Sequence, residues 1–498
     1  MKKYLFFRVL RSIVSIFLVT TFTFILIYSL VPRRDVFKGD VMAQKLASTP
    51  DALLNYENNA YEKMNYIDFK NNKDLVTAVQ KANPTKTVTT EHNASNVALF
   101  EKWAKANNYE IKRYKQSKDY YAVRELPLWE RLGRFYGSLI QIDNPWAVHD
   151  KNNPHLARYL KVTKDKTVGW ALVGSGTKYR YQIYFNSSFP YIHQNIIKFN
   201  LGTSYPTYSG TPVSEVIGGR QGQQVTTEIT DKNGNKTYTS DNVYTRSYQR
   251  VGKQDDSAKA RYGDDYVNVS QELSDPSMIG TSFKAGIFAL IIAYAVSIPV
   301  AIYMARKKGK IFDKIGTGIV TVLMAVPSLA LIYCFRFFGA RIFGLPDSFP
   351  TMGAGVTASW VLPSVILGLL SVSGLIVWFR RYMIDQQSAD YIKFAKAKGL
   401  NEGEIYRKHI FKNAAIPIVN GIPGSIIGLI GGATMTEEIF AMPGMGKMLP
   451  DSIIGHNNSV VIALVFIFTT IAVLSVLLGD LLMAIVDPRI KLSASGDD

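Results

Sequence analysis

The residue types that most often carry out chemistry in enzymes form no recognisable catalytic site in this chain. The segment from Ala441 to Met448 has glycines and a lysine like those of a phosphate-binding loop. It lacks the first glycine of that motif, however, and Met448 stands where a hydroxyl group should bind magnesium. The six histidines stand at positions 92, 149, 155, 193, 409 and 456, which is not metal-binding spacing. We therefore predict that the chain hydrolyses no ATP and has no catalytic residue, metal site or cofactor of its own.

A basic segment between two apolar runs has a more specific pattern. Apolar residues at Ala389, Ile392 and Ala395 recur every three positions and predict a short helix with a smooth stripe on one side. Lysines cover its other faces, at positions 393, 396 and 398. Gly399 is predicted to end this helix in a left-handed conformation, with Leu400 folding back as an apolar contact. A second helix is expected directly afterwards, capped by Asn401, within a loop that we place at residues 385–417.

The elements that hold this loop are predicted to cross a membrane. The 498 residues are 47% apolar, and several uncharged runs reach the length of about 20 residues that spans the hydrocarbon of a bilayer. We predict spans at Ile13 to Val31, Ala285 to Ala305, Ile315 to Phe338, Val356 to Phe379, Ile416 to Met435 and Val460 to Val486. Pro299, Pro327 and Pro363 are interpreted as simple kinks within them.

The distribution of charge predicts the orientation of these spans. The net charge is +18, and outside one long loop most basic residues lie at the N-terminus, in 306–314, in 380–412 and at the C-terminus. Such segments favour the cytoplasmic side, so both termini are expected inside and nucleic acid is not the expected partner. The single cysteine, Cys334, lies in an apolar run, so no disulfide can form within the chain.

The loop between the first two spans is predicted to be a separate extracellular domain. Helical periodicity over 43–62, 74–81 and 96–106 is followed by strand-like segments at 167–172, 179–185, 225–229 and 236–244. The expected organisation is a first helix at 1–31, an α+β insertion at 32–282, a five-helix core at 283–491 and a tail at 492–498.

Several motifs of the chain resemble those of one protein family. The residues Asp390, Tyr391, Ala395, Ala397, Lys398, Gly399 and Leu400 resemble the cytoplasmic coupling loop of permease subunits of ABC importers. The residues Glu438, Phe440, Pro443, Gly444 and Gly446 resemble the E-x-F-x-x-P-G-x-G signature of peptide-type permeases, and Phe199 to Tyr205 resembles a box before the second span. Asp480, Asp487, Pro488 and Arg489 resemble the family's C-terminal ending. Asp480 lies inside a span, where a carboxylate is either functional or paired with a basic residue.

The resemblance implies an oligopeptide or dipeptide permease, and the large loop makes the chain similar to the Ami-type permeases of streptococci. It implies a multi-pass α-helical protein of the bacterial cell membrane with six transmembrane helices. It also implies a second permease subunit, two ATPase subunits that bind ATP and magnesium, and a lipid-anchored peptide-binding protein outside. An alternative function remains open at this point, namely a membrane-anchored sensor or cell-wall interaction protein that acts through its ectodomain.

Overall fold

The computed structural model describes residues 2–90, 93–146, 155, 157–165, 168–185, 191–230, 234, 236–240, 242–244, 269–271, 273–349 and 355–486. The helices of the membrane part are α1 (Lys2–Leu30), α8 (Met278–Arg306), α9 (Ile311–Ala325), α10 (Ser328–Phe343), α11 (Thr357–Gln387), α12 (Asp390–Ala397), α13 (Glu402–Glu404), α14 (Lys412–Ile439), α15 (Met445–Ile454) and α16 (Asn458–Val486). Five described helices are long and apolar enough to cross a membrane, or six if the bent pair α9 and α10 forms one span. A helical membrane protein is therefore confirmed, with five or six candidate spans.

The predicted span from Ile315 to Phe338 is broken, which corrects the sequence-based interpretation of Pro327. Helices α9 and α10 meet at an angle of 109°. Val326 has extended backbone angles, with ψ at 132°, and Pro327 is extended as well, with ψ at 136°. Proline has no N–H to donate and disfavours helical angles in the residue before it, so α9 ends here rather than kinking. Pro299 and Pro363, by contrast, lie inside the continuous helices α8 and α11.

The fifth predicted span, Ile416 to Met435, belongs to a longer helix than expected. The second helix of the basic loop runs from α13 through a π-helical segment, Ile405–Phe411, directly into α14. All the junction residues have helical backbone angles, so nothing separates loop and span. The result is one helical rod from Glu402 to Ile439, with a π-helical segment of the kind often found at functional sites.

The region between α1 and α8 contains both helices and strands. Its helices are α2 (Val41–Lys45), α3 (Pro50–Lys63), α4 (Asn72–Ala82), α5 (Ala94–Asn107), α6 (Leu128–Leu139) and α7 (Val213–Gly218), with a 3-10 turn at Arg33–Phe37. The predicted helix over 43–62 is divided between α2 and α3, and Pro50 occupies the first turn of α3, where proline is tolerated. The predictions over 74–81 and 96–106 correspond to α4 and α5.

The strands of this region form small antiparallel sheets. They are β1 (Ile67–Lys70), β2 (Glu110–Arg113), β3 (Tyr120–Glu125), β4 (Ile140–Ile142), β5 (Leu160–Asp165), β6 (Gly169–Gly174), β7 (Tyr181–Phe185), β8 (Ile192–Gln194), β9 (Ile197–Phe199), β10 (Gln221–Gln224), β11 (Thr226–Thr230), β12 (Lys236–Ser240), β13 (Asn242–Tyr244), β14 (Val269–Gln271) and β15 (Leu273–Asp275). One sheet has the order β1-β3-β2, another the order β5-β6-β7-β8, and β4 pairs with β9. The predicted strand over 236–244 is divided, because β12 pairs with β11 whereas β13 pairs with β14.

A shared apolar core joins this region to the membrane helices. Phe24 of α1, Phe135 of α6, Val213 of α7 and Val460 of α16 are buried in one cluster. Tyr136 of α6 also donates a hydrogen bond of 3.1 Å to the carbonyl oxygen of Phe17. Part of the region between α1 and α8 is therefore packed on α1 and α16.

Candidate functional site

The predicted short helix of the basic loop is present as α12, and its apolar stripe faces the rest of the same chain. Ile392 and Ala395 are buried in a cluster with Met304, Met383 and Ile405. Tyr391 and Leu400 are half-buried against the same cluster. The stripe therefore packs α12 on the C-terminal ends of α8 and α11 and on the π-helical segment, so a partner subunit would have to contact other faces of α12.

Gly399 ends α12 in the conformation that the sequence predicts. Its φ is +77°, in the left-handed region that glycine adopts without cost. The Leu400 N–H donates to the carbonyl oxygen of Ala395 at 3.3 Å, and the Gly399 N–H donates to that of Lys396 at 2.9 Å. This pair of bonds is a Schellman motif, which fixes the angle between α12 and the next helix. Asn401 caps that helix by accepting the Glu404 N–H at 2.9 Å.

The loop is also held to α8 by polar contacts. Gln387, the last residue of α11, donates from Nε2 to the carbonyl oxygen of Ala305 at 3.1 Å and to the Tyr406 hydroxyl at 3.0 Å. The guanidinium of Arg306 lies 5.3 Å from the centre of the Tyr406 ring. Hydrogen bonds and packing therefore connect the loop to two different helices, so a force on α12 is passed to both.

The outward face of α12 carries a residue that the sequence analysis did not single out. Phe394 is 70% exposed, between lysines at 393 and 396. The exposed predicted residues on this side are Asp390, Ala397, Lys398 and Gly399. The Lys393–Asp390 ion pair, at 2.8 Å, is fully on the surface and adds little stability. Phe394 breaks the period-three pattern, which is the signal that would have indicated an apolar contact on the opposite face.

At the other end of the long helix, the Pro-Gly-x-Gly motif encloses a buried carboxylate. Glu437 is 1% exposed. It accepts hydrogen bonds from the Ser282 hydroxyl at 2.6 Å and from the Lys447 N–H at 2.9 Å. The Met445 N–H donates to Ser282 Oγ at 2.8 Å, so Ser282 links α8, α14 and the start of α15. Glu437 therefore joins the ends of three helices through one side chain.

The two glycines of this motif are explained by the same carboxylate. A Cβ on Gly444 would clash with the carboxyl group of Glu437, and one on Gly446 would lie 2.8 Å from the Thr434 nitrogen and 2.9 Å from Glu437 Oε2. Only glycine permits such a close approach. The carboxylate also occupies the N-terminal end of α15, where an anion is favoured. The segment that partly matches a phosphate-binding loop thus binds the chain's own carboxylate.

The predicted signature residues occupy different environments. Glu438 is exposed and forms an ion pair of 2.7 Å with Lys447. Phe440 is fully buried, and its carbonyl oxygen accepts the Phe349 N–H at 2.8 Å. Sequence matching selected Glu438, whereas burial and hydrogen bonding make the adjacent Glu437 the carboxylate that holds the motif together.

The carboxylate in the last span has a basic partner. Asp480 of α16 lies 2.8 Å from Arg8 of α1. The other predicted residues of this ending, Asp487, Pro488 and Arg489, lie outside the described residues.

The box before the second span contacts the loop between α15 and α16. The Asn457 side chain, which is buried, donates to Ser204 Oγ at 2.7 Å and to Thr207 Oγ1 at 3.2 Å. Asn458 donates to the Tyr66 hydroxyl at 3.1 Å. These two asparagines bind residues between α1 and α8 to the start of α16, a role that their sequence did not indicate. Within the described residues, no three His, Cys, Asp or Glu side chains converge as metal ligands.

Comparison with known proteins identifies the family. Residues 297–492 match the family described as "Binding-protein-dependent transport system inner membrane component". The chain is 50% identical over 500 residues to the oligopeptide transport system permease protein AmiC of Streptococcus pneumoniae, with complete coverage of both chains. It is 33% identical to the dipeptide transport system permease protein DppB of Lactococcus lactis, over 42% of this chain and 69% of that protein. The DppB of Escherichia coli is 31% identical, over 42% and 70%. The chain therefore belongs to the inner-membrane permease components of binding-protein-dependent ABC importers, and it is a non-catalytic transport subunit with several membrane-spanning helices.

Proposed function

We propose that this permease pairs with a second permease subunit to form a pathway for oligopeptide uptake, driven by two ATPase subunits. The substrate class is supported by the full-length similarity to an oligopeptide permease. In this proposal ATP and magnesium bind to the partner ATPases, and a lipid-anchored peptide-binding protein delivers peptide from outside. The chain has six spans, with α9 and α10 forming one bent span. Both termini and the loop 385–417 are cytoplasmic, and residues 32–282 are extracellular.

The geometry of α12 is the observation that carries this proposal. Its buried side is part of the bundle, and its exposed side offers one aromatic ring among cations. Exposed aromatic residues are common energetic centres of protein interfaces. We propose that Phe394 inserts into a cleft of an ATPase subunit, while Ile392 and Ala395 keep the helix fixed to the bundle. ATP-driven movement of the ATPases is then passed through the Schellman turn to the long helix, and the bundle opens to the outside.

The test is to alter the turn and the docking face separately. Gly399→Val should leave the protein inserted and the ATPases active but uncoupled from uptake, because a β-branched residue resists a positive φ. Gly399→Asn is the matched control, since asparagine tolerates that conformation, and it should retain uptake. Phe394→Ala should reduce co-purification of the ATPase subunit, whereas Lys393→Ala should not. Normal uptake by Gly399→Val, or equal co-purification by the two α12 variants, would contradict the mechanism.

A further inference from the structure

The four-stranded sheet β5–β8 presents a continuous apolar face that the rest of the described chain leaves uncovered. The strand register places Val162 opposite Leu172 and Leu172 opposite Ile183, so these side chains share one face. Side chains alternate along each strand, so Leu160, Trp170, Phe185 and Ile192 belong to the same face. Val162 is 69% exposed and Trp170 is 60% exposed. The opposite face holds the buried residues Ala171, Val173 and Tyr181. An antiparallel sheet that buries one face in a core normally has polar side chains on the face that meets water.

A second apolar surface lies next to this sheet. The ribbon formed by β4 and β9 pairs Ile140 with Phe199 and Ile142 with Ile197, and all four side chains are exposed. Only two residues separate β8 from β9 along the chain. The ring of Phe199 lies 6.3 Å from that of Phe466 on α16. The ribbon therefore connects the sheet along the chain to a membrane-spanning helix, which Phe199 approaches directly.

The height of this contact relative to the bilayer follows from helix geometry. The last basic residue of the loop is Lys412, and about 20 residues of helix beyond it cross the hydrocarbon layer, which places the far boundary near residue 432 of α14. Gly479 of α16 is level with Asn420 of α14, since a Cβ on Gly479 would lie 3.3 Å from Asn420 Oδ1. The two helices run in opposite directions, so the same boundary falls about 12 residues before Gly479, near residue 467. Phe466, and with it the ribbon, lies at the surface of the bilayer.

We propose that the exposed face of β5–β8 and the ribbon β4–β9 rest on the lipid leaflet farther from the basic loop. The occupant is the phospholipid itself, because the exposed apolar ribbon next to the sheet meets a membrane span at the hydrocarbon boundary. Tryptophan is enriched at that depth, and Trp170 stands on this face near the start of β6. Lys164, opposite Trp170 in the register, can extend its ammonium group toward the head groups. The ectodomain is thereby held at a fixed tilt beside the transport pathway, whichever substrate is transported.

Spin-label accessibility in lipid nanodiscs tests this placement. The full chain, in a Cys334→Ser background, would carry a nitroxide at Val162→Cys, at Trp170→Cys or, as control, at Lys161→Cys. Position 161 is the neighbour of 162 and points to the opposite face of β5. Labels at 162 and 170 should collide readily with oxygen and be protected from a water-soluble nickel chelate, with an oxygen-to-nickel ratio several-fold higher than at 161.

Two results would overturn the proposal. Equal nickel accessibility at 161 and 162 would place the face in water. A label at 162 that excludes both reagents only when the other transporter subunits or the binding protein are added would assign the face to a protein partner. Uptake measured for the same variants keeps this test separate from the proposed function, because failure of lipid contact would leave the coupling of transport to ATP unaffected.

Discussion

Replacing Glu437 with alanine should loosen the end of the bundle where α8, α14 and α15 meet, and the structure gives the size of the effect. The Glu437 carboxylate, in a side chain that is almost fully buried, accepts hydrogen bonds from the Ser282 hydroxyl and the Lys447 N–H. Each buried donor left without an acceptor costs about 1–3 kcal/mol. Two such donors correspond to about 2–6 kcal/mol, before the cavity left by the side chain is counted.

Hydrogen exchange measured by mass spectrometry on the purified protein is the suitable assay. A loss of about 1.4 kcal/mol raises exchange tenfold where local opening controls it, so amides of residues 444–448 should exchange faster by at least that factor. Glu437→Gln retains one acceptor oxygen and should show a smaller increase. Glu438→Ala is the matched control, because its exposed pair with Lys447 contributes about 0–1 kcal/mol. Equal exchange in Glu437→Ala and Glu438→Ala would refute the assignment of Glu437 as the residue that holds the motif.

Three further predictions concern other parts of the chain. Asn457→Ala removes the buried amide that binds Ser204 and Thr207, so limited proteolysis should release a fragment of the region between α1 and α8 faster than in Asn59→Ala, which alters an exposed asparagine of α3. Arg8→Ala leaves Asp480 without its cation and should lower the yield of folded protein in detergent, whereas Arg8→Ala combined with Asp480→Ala should recover much of it. Burial raises the pKa of Asp68, but its bonds to Arg134 and Arg124 outweigh that effect and hold the pKa below its usual value. Its contribution to stability should therefore be complete above about pH 4 and lost as the pH falls through the lowered pKa, and thermal unfolding of Asp68→Asn should lack this dependence.

The turn after α12 could be predicted because one residue determines it. Glycine at 399 followed by an apolar residue is sufficient for a Schellman motif, and the observed φ and hydrogen bonds agree. The direction of the apolar stripe could not be predicted from the same segment. Periodicity identifies a face, but the identity of the surface that covers it depends on Met304, Met383 and Ile405, which are distant in sequence.

Two other differences have similarly physical causes. The sequence predicts a kink at Pro327, and this prediction is wrong: a proline inside a membrane span either bends or ends a helix, and the extended backbone at Val326 shows that α9 ends there. Glu437 and Glu438 are chemically identical neighbours in the sequence. Only the approach of Ser282 and Gly446 distinguishes them, and both contacts arise from the three-dimensional arrangement of α8, α14 and α15.

The unbroken helix from Glu402 to Ile439 has a mechanical consequence. Asn401 lies next to the Schellman turn, and Glu437 binds the Pro-Gly motif. The two residues lie about 50 Å apart along this continuous helix. If the rod pivots near its midpoint, a tilt of about 5° displaces each end by about 2 Å in opposite directions, which exceeds the tolerance of a hydrogen bond. A small rotation of this helix at the end next to α12 is therefore enough to break the contacts of Glu437 at its opposite end.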